Sequence, residues 1–123
     1  MKAYTDIEQS KKLSEILQLE SADMFYNEES DETYRKDIVD TKYSRVIREG
    51  QKHYLEEYGI PCWSLAALIK VLPSIEGFKP VIDLDINQLR YEGKYRDELC
   101  FDSENLIDAC YEMILKLHEQ NLL

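Results

Sequence analysis

The stretch VIDLDINQLRY (residues 81–91) decides the fold class, because the spacing of apolar residues changes there from that of a helix to that of a strand. Ile82, Leu84 and Ile86 alternate with polar residues, which predicts a half-buried strand. The alternation resumes after a one-residue shift that is typical of a bulge. The apolar residues Tyr95, Leu99 and Phe101 then indicate a return strand, so a hairpin is predicted over about residues 81–101.

Helical periodicity returns on the N-terminal side of this hairpin. Thr5 and Glu8 have the spacing of a capping box, and the apolar residues that follow predict a first helix over about residues 6–17. A central helix is predicted from Tyr43 to Tyr58, where apolar residues share one arc at 100° per residue. These two segments supply helices that could cover the hairpin.

Two more helices are predicted directly before and after the hairpin. Ser64 can cap a short apolar helix over residues 65–72, which Pro73 ends. Ser103 can cap a last helix that reaches about Glu119. The core face of this last helix consists of apolar residues at helical spacing, namely Leu106, Ile107, Cys110, Met113, Ile114 and Leu117.

The order of these elements predicts an α+β fold, a small antiparallel sheet packed by N-terminal, central and C-terminal helices. Alternation over residues 22–26 indicates a possible third strand. Residues 27–37 are polar and mainly acidic, which predicts a solvated loop. Since the chain contains no repeat or Gly/Ser-rich linker, residues 1–123 are predicted to form a single domain.

Composition and charge exclude several classes of function. The 123 residues carry a formal net charge of −10, which argues against nucleic-acid binding and against binding to anionic membranes. The sequence contains no apolar run that could span a membrane and no apolar core of a signal peptide. Three cysteines without a short ligand spacing predict reduced thiols in a cytoplasmic protein without a cofactor.

Two stretches, IPCWSLAAL (residues 60–68) and IDACYEMILKLHE (residues 107–119), resemble one group of proteins. The group consists of small proteins of unassigned function encoded in prophages and mobile elements of gut bacteria. The resemblance covers about half of the chain. It implies a phage-like or mobile-element setting, and it brings no activity, ligand or catalytic residue.

Asp83 and Asp85 are the candidate metal ligands. Because these two residues lie two positions apart on a predicted strand, their carboxylates would project from one face of the sheet. Such a pair could hold a hard divalent cation. The alternative is the wet face of an antiparallel sheet. The first interpretation predicts a metal-dependent hydrolase or nuclease, and the second predicts no chemistry at this pair.

Two other clusters have both a functional and a structural interpretation. Cys62 could act as a nucleophile with His53 as its general base, but the sequence favours buried structural thiols. A basic arc on the central helix could contact phosphates, but acidic residues on the same arc favour a salt-bridged, solvated face. This arc consists of Lys42, Arg45, Arg48 and Lys52.

The last helix has a wider apolar surface than a single core requires. Tyr111, Leu115 and His118 extend this surface beyond the core face, which predicts contact with either a neighbouring element or a partner chain. With nine tyrosines and no catalytic motif, the sequence favours a non-catalytic module that binds another protein. The metal-dependent enzyme and a structural homodimer formed through the last helix remain as alternatives.

Overall fold

The computed structural model describes residues 2–27 and 59–123, which fall into two compact units. The N-terminal unit is Tyr4–Ser64, and the C-terminal unit combines Met1–Ala3 with Leu65–Leu123. Each unit contains helix and a small antiparallel sheet, so the predicted α+β class is confirmed. The predicted central helix and nearly all of the predicted acidic loop lie outside the described residues.

The N-terminal unit is built from one helix and a two-stranded sheet. Helix α1 (Ile7–Ser14) precedes a 3₁₀ turn at Leu19–Ser21. Strand β1 (Met24–Asn27) pairs antiparallel with β2 (Gly59–Cys62). The strand expected at residues 22–26 therefore exists, but its partner is β2. The expectation that it would extend the hairpin sheet is wrong.

Helix α1 begins one residue later than its predicted capping box. The Asp6 side chain accepts from the backbone N–H of Gln9 at 2.8 Å, and the Gln9 side chain accepts from the N–H of Asp6 at 3.1 Å. Thr5 is buried, and its hydroxyl lies 2.7 Å from that of Ser10 and accepts from the N–H of Trp63. Because Thr5 is held by these contacts, the neighbouring Asp6 serves as the cap.

The C-terminal unit is a three-stranded antiparallel meander with two helices. Helix α2 (Leu65–Val71) leads to strands β3 (Val81–Asp83), β4 (Gln88–Arg90) and β5 (Cys100–Asp102) in that spatial order. A 3₁₀ turn at Gly93–Tyr95 lies between β4 and β5. Helix α3 (Leu106–Glu119) packs against α2, β4 and β5 and closes the core.

Helix α3 confirms the predicted core face and corrects its start. Its N-cap is Asn105, whose side chain accepts from the N–H of Asp108 at 2.9 Å, whereas Ser103 lies outside the helix. All six residues predicted to face the core are buried, and Ala109 joins them. No helix within residues 2–27 and 59–123 is both long and apolar enough to span a membrane.

Candidate functional site

The connection between β3 and β4, here called the tip, presents the two most exposed large apolar side chains of the described residues. It comprises residues 84–87, and Leu84 is 74% exposed and Ile86 52% exposed. The next most exposed large apolar residue that the structure describes is Phe78, at 46%. Exposed apolar side chains that lie next to each other mark interaction surfaces more often than scattered ones do.

The tip replaces the continuous strand that the sequence predicted. Strand β3 ends at Asp83, whose carboxylate accepts from the backbone N–H of Asp85 at 3.0 Å. This local bond favours a turn over continued pairing. Asn87 has φ of 49°, a left-handed conformation that asparagine adopts more readily than most residues. The alternation of Ile82, Leu84 and Ile86 therefore does not mark one face of a strand.

A second set of bonds fixes the tip to the segment before α3. The Asn87 side-chain amide donates to the backbone carbonyl of Glu104 at 3.0 Å, and the backbone carbonyl of Asn87 accepts from the N–H of Ser103 at 3.3 Å. Both bonds cross from the tip to the β5–α3 connection. Leu84 and Ile86 therefore project from a loop that is anchored at both ends.

A groove of about 380 Å³ opens beside the tip within the C-terminal unit. Its apolar wall includes Leu84 itself together with leucine and isoleucine side chains from α2 and α3. Polar groups at its edge come from the chain start, the tip and the β5–α3 connection. The complete lining is Lys2, Leu65, Leu84, Asn87, Glu104, Asn105, Leu106 and Ile107. We call this groove together with Leu84 and Ile86 the tip surface.

The polar edge of the groove is organised around the start of α3. Asn105 caps the helix and also donates its side-chain amide to the Asp108 carboxylate at 2.9 Å. Lys2 Nζ lies 2.7 Å from the other Asp108 oxygen. An acidic residue in the first turn and its salt bridge both stabilise this helix end. Bonds to Asp108 therefore hold Lys2 and Asn105 at the edge of the groove.

Asp83 and Asp85 lie close together, but not as the sequence predicted. Asp83 is the last residue of β3, Asp85 belongs to the tip, and the contact between them runs from the Asp85 N–H to the Asp83 carboxylate. The expectation that they share one strand face is wrong, because the strand ends between them. In residues 2–27 and 59–123, no three His, Cys, Asp or Glu side chains are grouped to hold a metal.

The predicted interface residues of the last helix lie along one side of α3. Tyr111 and Leu115 are half-buried and His118 is exposed. Seven other residues of α3 are buried, and Tyr111, Leu115 and His118 lie outside that set. This stripe of three residues remains a predicted interface.

The cysteines are placed separately. Cys62 is buried in the N-terminal unit, where its thiol donates to the Thr5 carbonyl at 3.4 Å and accepts from the Thr5 hydroxyl at 3.6 Å. Cys110 is buried on α3, and Cys100 is half-buried on β5. His53, the base suggested for Cys62, lies outside the described residues, as does the basic arc of the central helix.

Burial suppresses ionisation in the core of the C-terminal unit. Desolvation raises the pKa of the Cys110 thiol from 9.0 to about 12. Desolvation, followed by the charge of Cys110, raises the pKa of Tyr91 from 10.0 to about 12. The Tyr91 hydroxyl donates to the Pro73 carbonyl at 2.7 Å. Both groups are therefore structural at neutral pH, where a reactive thiolate is disfavoured.

These shifts predict where alkaline unfolding begins. Between pH 9 and 12 the unfolded chain loses the Cys110 proton while the folded chain keeps it, so the stability falls by about 1.4 kcal/mol per pH unit. Tyr91 adds to this slope from pH 10 upward. Urea unfolding across this pH range should therefore show that Cys110→Ala makes the loss of stability between pH 9 and pH 12 shallower by about 1.4 kcal/mol per pH unit. An unchanged slope would contradict the buried, protonated thiol.

Sequence reasoning missed the tip surface, although a signal for it was present. The alternation of Leu84 and Ile86 with polar residues predicts that both lie on the buried face of a strand. Asp83 and Asn87, which bracket them, are both residue types that form turns through side-chain bonds and left-handed backbone. A turn between these two positions would have left the apolar pair exposed.

The comparisons with known proteins add no assignment to this geometry. Protein-family models, curated proteins and solved structures give no significant match to the chain.

Proposed function

We propose that this protein is a binding module that docks another protein on the tip surface. The observation that carries the proposal is the exposure of Leu84 and Ile86 on an anchored loop. A loop backbone that is held in place before binding loses little conformational entropy when a partner covers it. The resemblance to proteins of prophages and mobile elements implies a phage-like or mobile-element setting for this module and does not identify its partner.

Burial of the exposed apolar area supplies the expected driving force. Full burial of a leucine or isoleucine side chain is worth roughly 1.5–3 kcal/mol, so these two partly exposed residues together could contribute about 2–4 kcal/mol. That corresponds to roughly a thirtyfold to a thousandfold change in the dissociation constant. Groups at the edge of the groove would supply orientation and specificity more than affinity.

The test is capture from cells that carry the gene, with wild type compared to the double variant Leu84→Ser, Ile86→Ser. We expect a partner that wild type retains and that the double variant loses at least tenfold by quantitative mass spectrometry. The matched control is Leu123→Ser, which alters an exposed leucine away from the tip and should retain the partner.

Unfolding curves of all three proteins should coincide within about 0.5 kcal/mol, because exposed side chains contribute little to stability. A partner that the double variant retains as well as wild type does would contradict docking at the tip.

Self-association through α3 is the second candidate. It is favoured by the half-buried Tyr111 and Leu115, which lie outside the residues that fill the core. An isologous dimer would bring this stripe against its own copy. Its distinguishing measurement is the molar mass in solution, which would exceed the 14.6 kDa of one chain.

A further inference from the structure

We propose that the tip surface receives a protein segment that carries lysine or arginine beside apolar side chains, an inference that rests on the proposed function. The apolar pair Leu84 and Ile86 lies beside carboxylates from β3, the tip, β5 and the β5–α3 connection. A partner that fits both features must satisfy apolar and negatively charged groups at once.

The carboxylates follow from the register of the sheet. Asp83 of β3 and Asp102 of β5 both lie opposite Gln88 of β4, so one residue separates them across the sheet. With strands about 4.8 Å apart, their backbones lie roughly 10 Å from each other on the same face. The adjacent residue Leu89 is fully buried, so this row faces away from the core.

Two more carboxylates complete the acidic border. Asp85 lies within the tip between Leu84 and Ile86, and it is exposed. Glu104 is also exposed and lines the groove, and its backbone carbonyl accepts a hydrogen bond from the Asn87 side-chain amide. Asp83 and Asp85 therefore flank Leu84 in the chain, whereas Asp102 and Glu104 are brought beside the tip by the pairing with Gln88 and the bond to Asn87, and these four residues are the acidic border.

Two neighbouring cations that the structure describes are bonded to groups outside this border. Lys2 is paired with Asp108, and Arg90 is bonded to Glu92 and Gln88. In the described part of the chain, none of the four border carboxylates takes part in an ion pair. A negative border around an apolar centre attracts cationic partners and repels acidic ones.

The same charges argue against the other occupants. A second copy docked tip to tip would bring like charges face to face, which destabilises an interface. Nucleic acids and anionic lipids carry the same sign as the border. A basic, amphipathic protein segment is the occupant whose charge and apolar surface both match.

The experiment is a selection of displayed random peptides on the immobilised full-length chain. The library is first depleted on the variant Leu84→Ser, Ile86→Ser, which has the same net charge and therefore removes peptides that bind through charge alone. We expect the enriched peptides to combine apolar residues with an excess of lysine and arginine. Contacts at an exposed border change affinity by roughly two- to fivefold each, so neutralising four should cost a synthetic peptide at least tenfold.

Two charge variants of equal size then separate local from overall electrostatics. The border variant combines Asp83→Asn, Asp85→Asn, Asp102→Asn and Glu104→Gln. The control variant neutralises four exposed acids elsewhere in the described chain and should change affinity less than threefold. It combines Glu8→Gln, Glu20→Gln, Asp97→Asn and Glu112→Gln.

The outcomes distinguish this inference from the proposed function. Peptides without a basic excess, or with equal affinity for the border and control variants, would overturn the basic partner while leaving docking at the tip intact. If no peptide prefers wild type to the tip variant, both the inference and the proposed function are contradicted.

Discussion

Trp63→Ala is expected to lower the free energy of unfolding by about 3–5 kcal/mol, because the indole is fully buried and its removal leaves a large cavity. Trp63 also links two parts of the N-terminal unit. Its indole N–H donates to the Ser21 hydroxyl at 2.9 Å, and its backbone N–H donates to the Thr5 hydroxyl at 3.1 Å. The side chain therefore holds the 3₁₀ turn as well as filling the core.

Trp63→Phe is the matched control, since it keeps an aromatic ring and removes the bond to Ser21. The Ser21 hydroxyl still donates to the Gln18 carbonyl, so the loss should be only about 1–2 kcal/mol. Because Trp63 is the sole tryptophan, urea unfolding of all three proteins should be followed by far-ultraviolet circular dichroism. A loss below about 1 kcal/mol for the alanine variant would show that the indole is not buried in solution.

Leu117→Ala and Leu115→Ala should differ strongly, although both remove the same atoms from the same helix. Leu117 is fully buried in the core, and its truncation should cost about 2–5 kcal/mol. Leu115 is half-buried, so its truncation in a monomer should cost under about 1.5 kcal/mol. Chemical unfolding of both variants measures this difference directly.

The same pair also tests self-association through α3. If a dimer forms on the stripe of Tyr111 and Leu115, Leu115→Ala should lower the molar mass measured by light scattering toward 14.6 kDa. Its effect on stability should then depend on protein concentration. A constant mass of one chain for wild type across the concentration range would eliminate the dimer, and equal losses for the two leucines would contradict the assignment of the core face.

Where the apolar spacing was helical, the sequence predicted the structure well. The core face of α3 follows from residues three and four apart, because these fall on one side of any helix. The first residue of α1 does not follow from the sequence in the same way, because Thr5–Glu8 and Asp6–Gln9 both have the spacing of a capping box and are offset by one residue. Contacts between Thr5 and Trp63, distant in sequence, decide between them.

The candidate site could not be predicted in the same way. A continuous strand and a turn between two strands can show the same alternation of apolar residues over residues 82–86. Only the pairing of Asp83 with Gln88, which marks the end of β3, distinguishes the two structures. Pairing is a property of the whole sheet. The pairing of β1 with β2 could not be predicted for the same reason, because β2 lies more than thirty residues away in the chain.

The salt bridge between Lys2 and Asp108 has a consequence for the order in which the chain folds during synthesis. The two residues are separated by 106 positions, yet both belong to the C-terminal unit. At a ribosomal rate of about 5–20 residues per second, Asp108 is added roughly 5–20 s after Lys2. Lys2 thus leaves the ribosome well before Asp108 exists, and its native contact forms only after the start of α3 has been made.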